Sequence, residues 1–187
     1  MKKIILASTS PRRKQLLKDM GIDFKIIAPE YDEKITDKHF SDEIIKNIAV
    51  NKAKSVLYKV KEPSLIIGSD TVVIINGIIT GKPKDKNDAF NILKSLSGIK
   101  HSVVTSIAII DSETGKIFCE NTRSEIEFNP LSDEDIKNYI ENFKPFDKAG
   151  AYGIQELPTN FVKEITGDFD NIVGFPTKTL KKMLSDM

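Results

Sequence analysis

The spacing of hydrophobic and polar positions along the chain predicts strands and helices that alternate. Short continuous runs of apolar, often β-branched residues are typical of buried strands, whereas apolar residues three and four positions apart are typical of one helical face. The predicted strands are 3–7, 24–28, 65–69, 72–75, 78–80, 102–110, 116–128 and 161–165. The predicted helices, with their caps, are 10–20, 41–60, 85–96, 132–142 and one that begins at Pro176.

Capping and turn residues mark several of these boundaries. Ser10 as an N-cap, followed by Pro11 in the first turn, predicts the start of a helix, and Gly21 predicts its end. The pair Asn76-Gly77 between two apolar runs is typical of a hairpin with a type I′ turn. Because strands and helices alternate early and a long antiparallel pair follows, the pattern indicates an α/β fold with a mixed sheet.

Composition and charge narrow the class of protein. The 187 residues are 40% hydrophobic and 29% charged, and 28 basic against 27 acidic side chains give a net charge of +1. This balance argues against a nucleic-acid-binding protein and a polybasic membrane protein, although it permits a small basic pocket. The apolar runs are too short to span a bilayer, and the single Cys119 suggests neither a disulfide nor a metal site. We therefore expect a cytoplasmic enzyme or binding protein made of one domain, residues 1–187.

The segment Ser8-Thr9-Ser10-Pro11-Arg12-Arg13 is a candidate anion site. Only three of the 28 basic residues are arginines, and two of them, Arg12 and Arg13, stand in the first turn of a predicted helix. The positive end of the helix dipole disfavours cations there but favours a bound anion, with which arginine forms paired hydrogen bonds. A capped helix with two solvated arginines is the alternative.

Carboxylates and lysines supply further candidates. Asp70 follows the predicted strand 65–69, and ligand sites of α/β sheets gather at the carboxyl ends of strands. A carboxylate there can hold a divalent cation or take a proton from water, whereas a turn aspartate that bonds its own backbone is the alternative. Glu33, in a polar loop, is a weaker second carboxylate. Lys82 and Lys52, the latter expected to face out of its helix, are either phosphate ligands or solvated lysines.

The segment 147–155 is Gly-rich and predicts a loop whose backbone approaches a ligand closely. Gln155 offers both a donor and an acceptor, which suits the edge of a nucleotide base. A tight connection without a ligand is the alternative. His39 and His101 have no partner pattern, so the sequence supports neither a histidine metal site nor a catalytic triad.

Together these segments resemble the Maf family of nucleoside triphosphate pyrophosphatases. The resemblance covers essentially the whole chain and rests on six segments in the family's order: 6–13, 51–53, 68–72, 81–83, 96–98 and 147–155. It implies an elongated α/β fold similar to inosine triphosphatases, a mixed sheet with flanking helices and two lobes around a cleft, and a homodimer. One departure is Glu156, which stands where the family usually has Gly and adds a carboxylate to the loop.

The resemblance also implies an activity and a set of site residues. The activity is hydrolysis of a nucleoside triphosphate to the monophosphate and pyrophosphate with Mg²⁺ or Mn²⁺. Asp70 would be the general base on the attacking water and, together with Glu33, a metal ligand. The substrate-binding residues that it implies are Ser8, Arg12, Arg13, Lys52, Thr71, Lys82 and Gln155. Attack by water agrees with phosphoryl transfer, which depends on charge neutralisation and positioning.

Three residues indicate a substrate class within the family. Arg13, Thr71 and Gln155 match the positions that mark the subgroup hydrolysing dTTP and UTP, and modified pyrimidine nucleotides are a further expected substrate in a house-cleaning role. Two alternatives stay open. One is the same chemistry on 7-methyl-GTP or CTP, and Glu156 is the feature in its favour. The other is a nucleotide-binding regulator of septum formation, the process that names the family, without turnover.

Overall fold

The elements are taken from a computed structural model of the chain, which describes residues 2–33 and 35–187. The strands are β1 (Lys3–Leu6), β2 (Phe24–Ile26), β3 (Ser64–Ile75), β4 (Ile78–Thr80), β5 (Lys100–Asp111), β6 (Ile117–Phe128) and β7 (Val162–Thr166). The α-helices are α1 (Pro11–Asp19), α2 (Asp42–Lys54), α3 (Lys86–Leu96), α4 (Asp133–Phe143), α5 (Phe169–Val173) and α6 (Thr177–Ser185). Short 3₁₀ helices lie at Leu57–Lys59, Ala149–Ala151 and Ile154–Glu156.

These strands form one mixed sheet. Their order is β2-β1-β3-β5-β6-β7, and β4 pairs with the second half of β3. β1 runs parallel to β2 and β3, and the other pairings are antiparallel. The predicted mixed sheet with flanking helices is therefore confirmed.

One edge of β3 is left partly uncovered, and this stretch positions the site. β1 pairs with β3 only as far as Leu6 opposite Ile67, and β4 begins opposite Val73. Between these two points no strand of the described residues lies along that edge. Asp70 stands inside the uncovered stretch, in the middle of β3.

The prediction that a strand ends at residue 69, with Asp70 just beyond it, is wrong. β3 continues through the polar residues 68–71 because β5 pairs with it from Leu65 to Ile74. A local run of polar residues does not end a strand whose neighbour supplies hydrogen bonds on both sides of the run. The strand whose carboxyl end lies next to Asp70 is β1. β1 pairs with β3 only as far as Ile67, and Asp70 lies three residues beyond that point.

Most predicted helix starts are confirmed by their caps. In each of α1 to α4 the side chain of the N-cap residue accepts a hydrogen bond from an N–H group of the first turn. These N-cap residues are Ser10, Ser41, Asp85 and Ser132. Asn76 and Gly77 have φ of +50° and +78°, as a type I′ turn requires. Two helices differ from the prediction. α2 ends at Lys54 instead of extending to about residue 60, and the short α5 was not predicted.

Hydrophobic clusters cover both faces of the sheet. Ile66 and Ile67 are adjacent in β3 and so point to opposite faces. Ile67 packs with α1 and α6 through Leu17 and Leu180, whereas Ile66 packs with α2 through Ala53. A further cluster joins α3 and α4 to the far end of β3 and β5. None of the helices within residues 2–33 and 35–187 has the length and apolar character needed to cross a membrane.

The close contact between α2 and β3 depends on Gly68. A Cβ atom at this position would lie 2.2 Å from the Ala49 carbonyl oxygen and 2.9 Å from the Ala53 amide nitrogen. Both of these are backbone atoms, which cannot move aside as a flexible side chain does. A side chain at residue 68 would therefore push α2 away from the sheet.

Gly68→Ala should lower the free energy of unfolding by about 3 kcal/mol, because the added methyl overpacks a helix–strand contact made by backbone atoms. Denaturant unfolding measures this change. Gly81→Ala is the matched control, since a Cβ there meets no atom within 4 Å, and we expect a change below about 1 kcal/mol. Equal stability of the two variants would contradict the close contact.

Candidate active site

A buried ammonium group lies between two carboxylates at the uncovered edge of β3. Lys52 Nζ is 2.5 Å from Asp70 Oδ1 and 2.6 Å from Glu33 Oε1. Lys52 is 6% exposed and Asp70 is 7% exposed. Because a charge removed from water is stable only when it is paired, we treat Lys52, Glu33 and Asp70 as one unit, the carboxylate–lysine unit.

The prediction that Lys52 faces out of its helix is wrong. The buried residues of α2 are Ile45, Ile48, Ala49, Lys52 and Ala53. Their spacing of three and four places Lys52 on the same stripe that packs against the sheet. This position within an apolar stripe is the sequence signal that indicates a buried lysine.

The loop that carries Glu33 is held by β4. The Phe40 N–H donates to the Gly77 carbonyl (2.8 Å) and the Ile79 N–H donates to the Lys38 carbonyl (2.7 Å). Residues 38–40 therefore line the open side of the hairpin, and Glu33, Ile35 and Lys38 of this loop line the groove. No local signal in the sequence indicates this pairing, which involves residues about forty positions apart.

Glu33 is charged at neutral pH. Burial by itself would raise the pKa of its carboxyl group, but the hydrogen bond and the charge of Lys52 bring that pKa below its ordinary value. Lys82 adds to this effect, with its Nζ 3.8 Å from Glu33 Oε2. The Lys82 side chain is 57% exposed, so its ammonium group can turn toward a ligand.

Arg13 joins three segments on the other face of β3. Its Nε donates to the Gly174 carbonyl (2.9 Å), its Nη1 to the Ser69 carbonyl (2.7 Å) and its Nη2 to Thr71 Oγ1 (3.1 Å). The Ser69 carbonyl belongs to the uncovered stretch, so the guanidinium replaces the missing strand partner. Burial lowers the pKa of Arg13, but a guanidinium stays protonated in proteins. Three of its five N–H groups donate hydrogen bonds within the protein. Arg13 therefore holds together the segments that form the groove, and it also lines the groove.

Arg12 and Ser8 occupy different surroundings. Arg12 lines the groove, and its Nη1 is 3.7 Å from Asp147 Oδ2, on a carboxylate that is 64% exposed. Ser8 is buried, and its hydroxyl accepts the N–H of Ser10 (3.2 Å). Ser8 thus stabilises the turn between β1 and α1, and the described residues that line the groove do not include it.

A chain of hydrogen bonds fixes Thr71 and the segment after α5. Thr71 Oγ1 and Thr105 Oγ1 are 2.9 Å apart, and the Thr105 hydroxyl donates to the Asn171 carbonyl (3.0 Å). The Asn171 side chain in turn donates to the Val103 carbonyl (3.0 Å). Residues 172–174 therefore line the groove, although sequence analysis missed them. The available signal was a short helix between the N-cap Asp168 and Gly174, the latter with a φ of +110°.

Two adjoining cavities form one groove along the uncovered edge of β3. The smaller has a volume of about 130 Å³ and the larger about 870 Å³. Both are lined by Asp70, Thr71, Lys82 and Ala149. The predicted site residues that the structure brings to this groove are Arg12, Arg13, Glu33, Lys52, Asp70, Thr71, Lys82 and Gln155. The groove thus combines carboxylates that can hold a proton or a cation with cations that can bind phosphate.

The fold and this groove define the class of protein. The structure resembles a HAM1 protein from Coxiella burnetii with a TM-score of 0.53 at 17% identity, over 100% of both chains. This likeness concerns the fold alone. The chain belongs to the Maf-like protein family, whose model matches residues 3–187, and the resemblance drawn from the sequence is confirmed.

Two relatives show how far the similarity extends. The chain is 44% identical over 186 residues to the dTTP/UTP pyrophosphatase of Clostridium novyi (strain NT), which covers 99% of this chain and 97% of that protein. It is 46% identical over 176 residues to the dTTP/UTP pyrophosphatase of Alkaliphilus oremlandii (strain OhILAs), which covers 94% of this chain and 91% of that protein. The similarity therefore spans every element that contributes to the groove.

Arg13→Lys should lower the free energy of unfolding by about 2 kcal/mol, because one ammonium group cannot reach three separated acceptors and the Ser69 carbonyl loses its donor. Arg12→Lys is the matched control. Among residues 2–33 and 35–187 its head group has one ion-pair contact, 3.7 Å from an exposed carboxylate, so we expect a change within about 0.5 kcal/mol. Denaturant unfolding compares the two, and an equal loss in both would contradict the bridging role of Arg13.

Proposed function

We propose that this protein hydrolyses dTTP and UTP, and modified pyrimidine nucleotides, to the monophosphate and pyrophosphate. The observation that carries the proposal is the meeting, in one groove, of the carboxylate–lysine unit with the residues that mark the pyrimidine subgroup, Arg13, Thr71 and Gln155. The relatives named dTTP/UTP pyrophosphatase, which are similar over nearly the full chain, support it.

The groove supports one orientation of the substrate. Gln155 lines the smaller cavity and not the larger one, and there its amide can pair with O4 and N3–H of uracil or thymine. A ligand the size of a nucleotide needs several hundred Å³, more than the 130 Å³ of this cavity. The triphosphate therefore extends past Asp70 into the larger cavity, along Lys82, which lines both cavities.

The reaction then needs a base, a water molecule and charge compensation. Asp70 accepts a proton from water as the water oxygen attacks the α-phosphorus. The bond between that phosphorus and the α–β bridging oxygen breaks, and pyrophosphate leaves with the bonding electrons. Lys52 holds the Asp70 carboxylate in place through its 2.5 Å contact, and Lys82 compensates charge on the phosphates.

The carboxylate pair fits a divalent cation. Oxygens of Glu33 and Asp70 already converge on one cationic group, the Lys52 ammonium. Residues 2–33 and 35–187 contain no group of three or more His, Cys, Asp or Glu side chains placed to hold a metal ion. Two carboxylates completed by substrate phosphate oxygens are a usual way to hold Mg²⁺. When bound there, Mg²⁺ or Mn²⁺ supplies charge neutralisation at the triphosphate.

The same proposal includes the protein's surroundings. The family resemblance implies a homodimer, whereas the short apolar runs and the balanced charge favour a cytoplasmic protein that acts on free nucleotides without a nucleic-acid or membrane partner. The net charge of +1 supports the absence of a nucleic-acid partner, because binding to a polyanion depends on an excess of basic residues.

Asp70→Asn tests the role of the general base. We expect kcat for pyrophosphate release from UTP and dTTP to fall by at least about 100-fold, because the amide cannot accept the proton, while nucleotide binding measured by calorimetry is retained. Asp23→Asn, at an exposed position, is the matched control and should leave kcat unchanged.

The same assay separates the alternatives. Release of phosphate instead of pyrophosphate from UTP would refute the reaction type, and faster turnover of CTP or 7-methyl-GTP would refute the substrate class. A protein that binds nucleotide without any turnover, and whose effect on septum formation does not depend on the Asp70 carboxylate, would be a regulator instead.

Lys52→Met tests the fit of the carboxylate pair to a metal ion. Without metal, the free energy of unfolding should fall by about 3 kcal/mol, because the buried Asp70 carboxylate and the partly exposed Glu33 carboxylate lose their shared cation. Mn²⁺ should then raise the melting temperature of this variant more than that of the original protein. Lys94→Met removes an exposed ion pair with Asp133 (2.6 Å) and should cost below about 1 kcal/mol, without a Mn²⁺ effect. Loss of stability in Lys52→Met that Mn²⁺ does not recover would contradict the proposed site.

A further inference from the structure

A second buried lysine lies beneath the segment that carries Gln155. The Lys148 side chain is 8% exposed, and its Nζ is 3.0 Å from Asp147 Oδ1 and 3.2 Å from Glu156 Oε2. Asp147 is 64% exposed, whereas Glu156 is 36% exposed. Glu156 is therefore the less solvated of the two partners of this ammonium group.

The side chains of Lys148 and Glu156 pack against the backbone of Gly153. A Cβ atom on Gly153 would lie 3.0 Å from both Lys148 Cε and Glu156 Oε2. The lysine stem and the carboxylate are thus packed against this backbone from the side. From another direction the Gly153 N–H donates to Tyr139 Oη (3.0 Å), on a tyrosine that is 1% exposed.

The turn 153–156 is therefore held at both ends. The Glu156 N–H donates to the Gly153 carbonyl (2.9 Å), and the Glu156 side chain reaches back to Lys148. Gln155 stands inside this turn, with an exposed side chain that lines the smaller cavity. The position of the Gln155 side chain consequently depends on a turn that this ion pair helps to fix.

The placement of Gln155 against the base matters because a glutamine amide can pair with two different bases. Uracil presents an acceptor at O4 and a donor at N3, whereas cytosine presents a donor at N4 and an acceptor at N3. An amide that rotates freely can reverse its own donor and acceptor and pair with either edge. Selection of uracil therefore requires that the surroundings hold the amide in one orientation.

We propose that Glu156 is a positioning residue for base selection. Its carboxylate anchors Lys148, helps to fix the turn 153–156 and thereby places the Gln155 amide where it pairs with uracil or thymine. The same ion pair keeps the Lys148 ammonium occupied, so that the phosphates are left to the exposed Lys82. This inference rests on the proposed function, since it concerns the base end of the same groove.

Glu156→Gln tests the inference with little change in shape. We expect the ratio of kcat/KM for UTP to that for CTP to fall about fivefold, through a higher KM for UTP and a lower KM for CTP at nearly constant kcat. Glu164→Gln, at an exposed position in β7, is the matched control and should keep the original ratio. A purely structural role would lower the melting temperature without moving this ratio.

Lys148→Met is the second variant, and it keeps the test decisive if Glu156→Gln folds poorly. The ratio should fall as far as in Glu156→Gln, and the double variant should fall no further, because the two side chains act as one pair. An unchanged ratio in the folded single variants, or falls that multiply in the double variant, would overturn the inference. Failure of the proposed function is distinguishable, since the original protein would then release no pyrophosphate from UTP.

Discussion

The site depends on the burial of the Lys52 ammonium group. An ammonium that is removed from water requires counter-charges at hydrogen-bond distance, and Asp70 and Glu33 supply them at 2.5 and 2.6 Å. These contacts require three features of the fold. Asp70 must stand within β3, the Glu33 loop must lie against β4, and Gly68 must leave room for α2. One buried charge therefore ties a helix, a strand and a loop to a single point.

The second constraint is the early end of β1. Where β1 stops, the backbone of β3 has polar groups without a strand partner, and a buried carbonyl without a donor is costly. The Arg13 guanidinium meets this need by donating to the Ser69 carbonyl. Because successive residues of a strand face opposite sides, the uncovered edge exposes Asp70 on one face and Thr71 on the other. A ligand in the groove can contact both, which a ligand on a continuous sheet cannot.

The caps, turns and order of the elements could be predicted because their signals are local. Ser10 and Asp85 each accept an N–H group three residues ahead, so a short window of sequence contains the whole interaction. The course of β3 through Asp70 could not be predicted in this way, because β5, more than thirty residues away, supplies its hydrogen bonds. The candidate site was largely predicted as a set of residues. The roles of those residues stay predictions. Glu33 and Gln155 were assigned to one site mainly because of the resemblance to the family, since the hydrophobic and polar pattern does not link them.

The sequence by itself determined the family, the succession of strands and helices, and which charged side chains the site contains. Only the tertiary structure decided which of these charges neutralise one another. Lys52 and Lys148 are buried and paired with carboxylates, whereas Lys82 is 57% exposed and can turn to a ligand. The physical reason is that charge compensation depends on distance through space and on exclusion of water. The separation of two residues along the chain gives neither their distance in space nor their exposure to water. Lysines that look equivalent in the sequence can therefore have different roles in the folded protein.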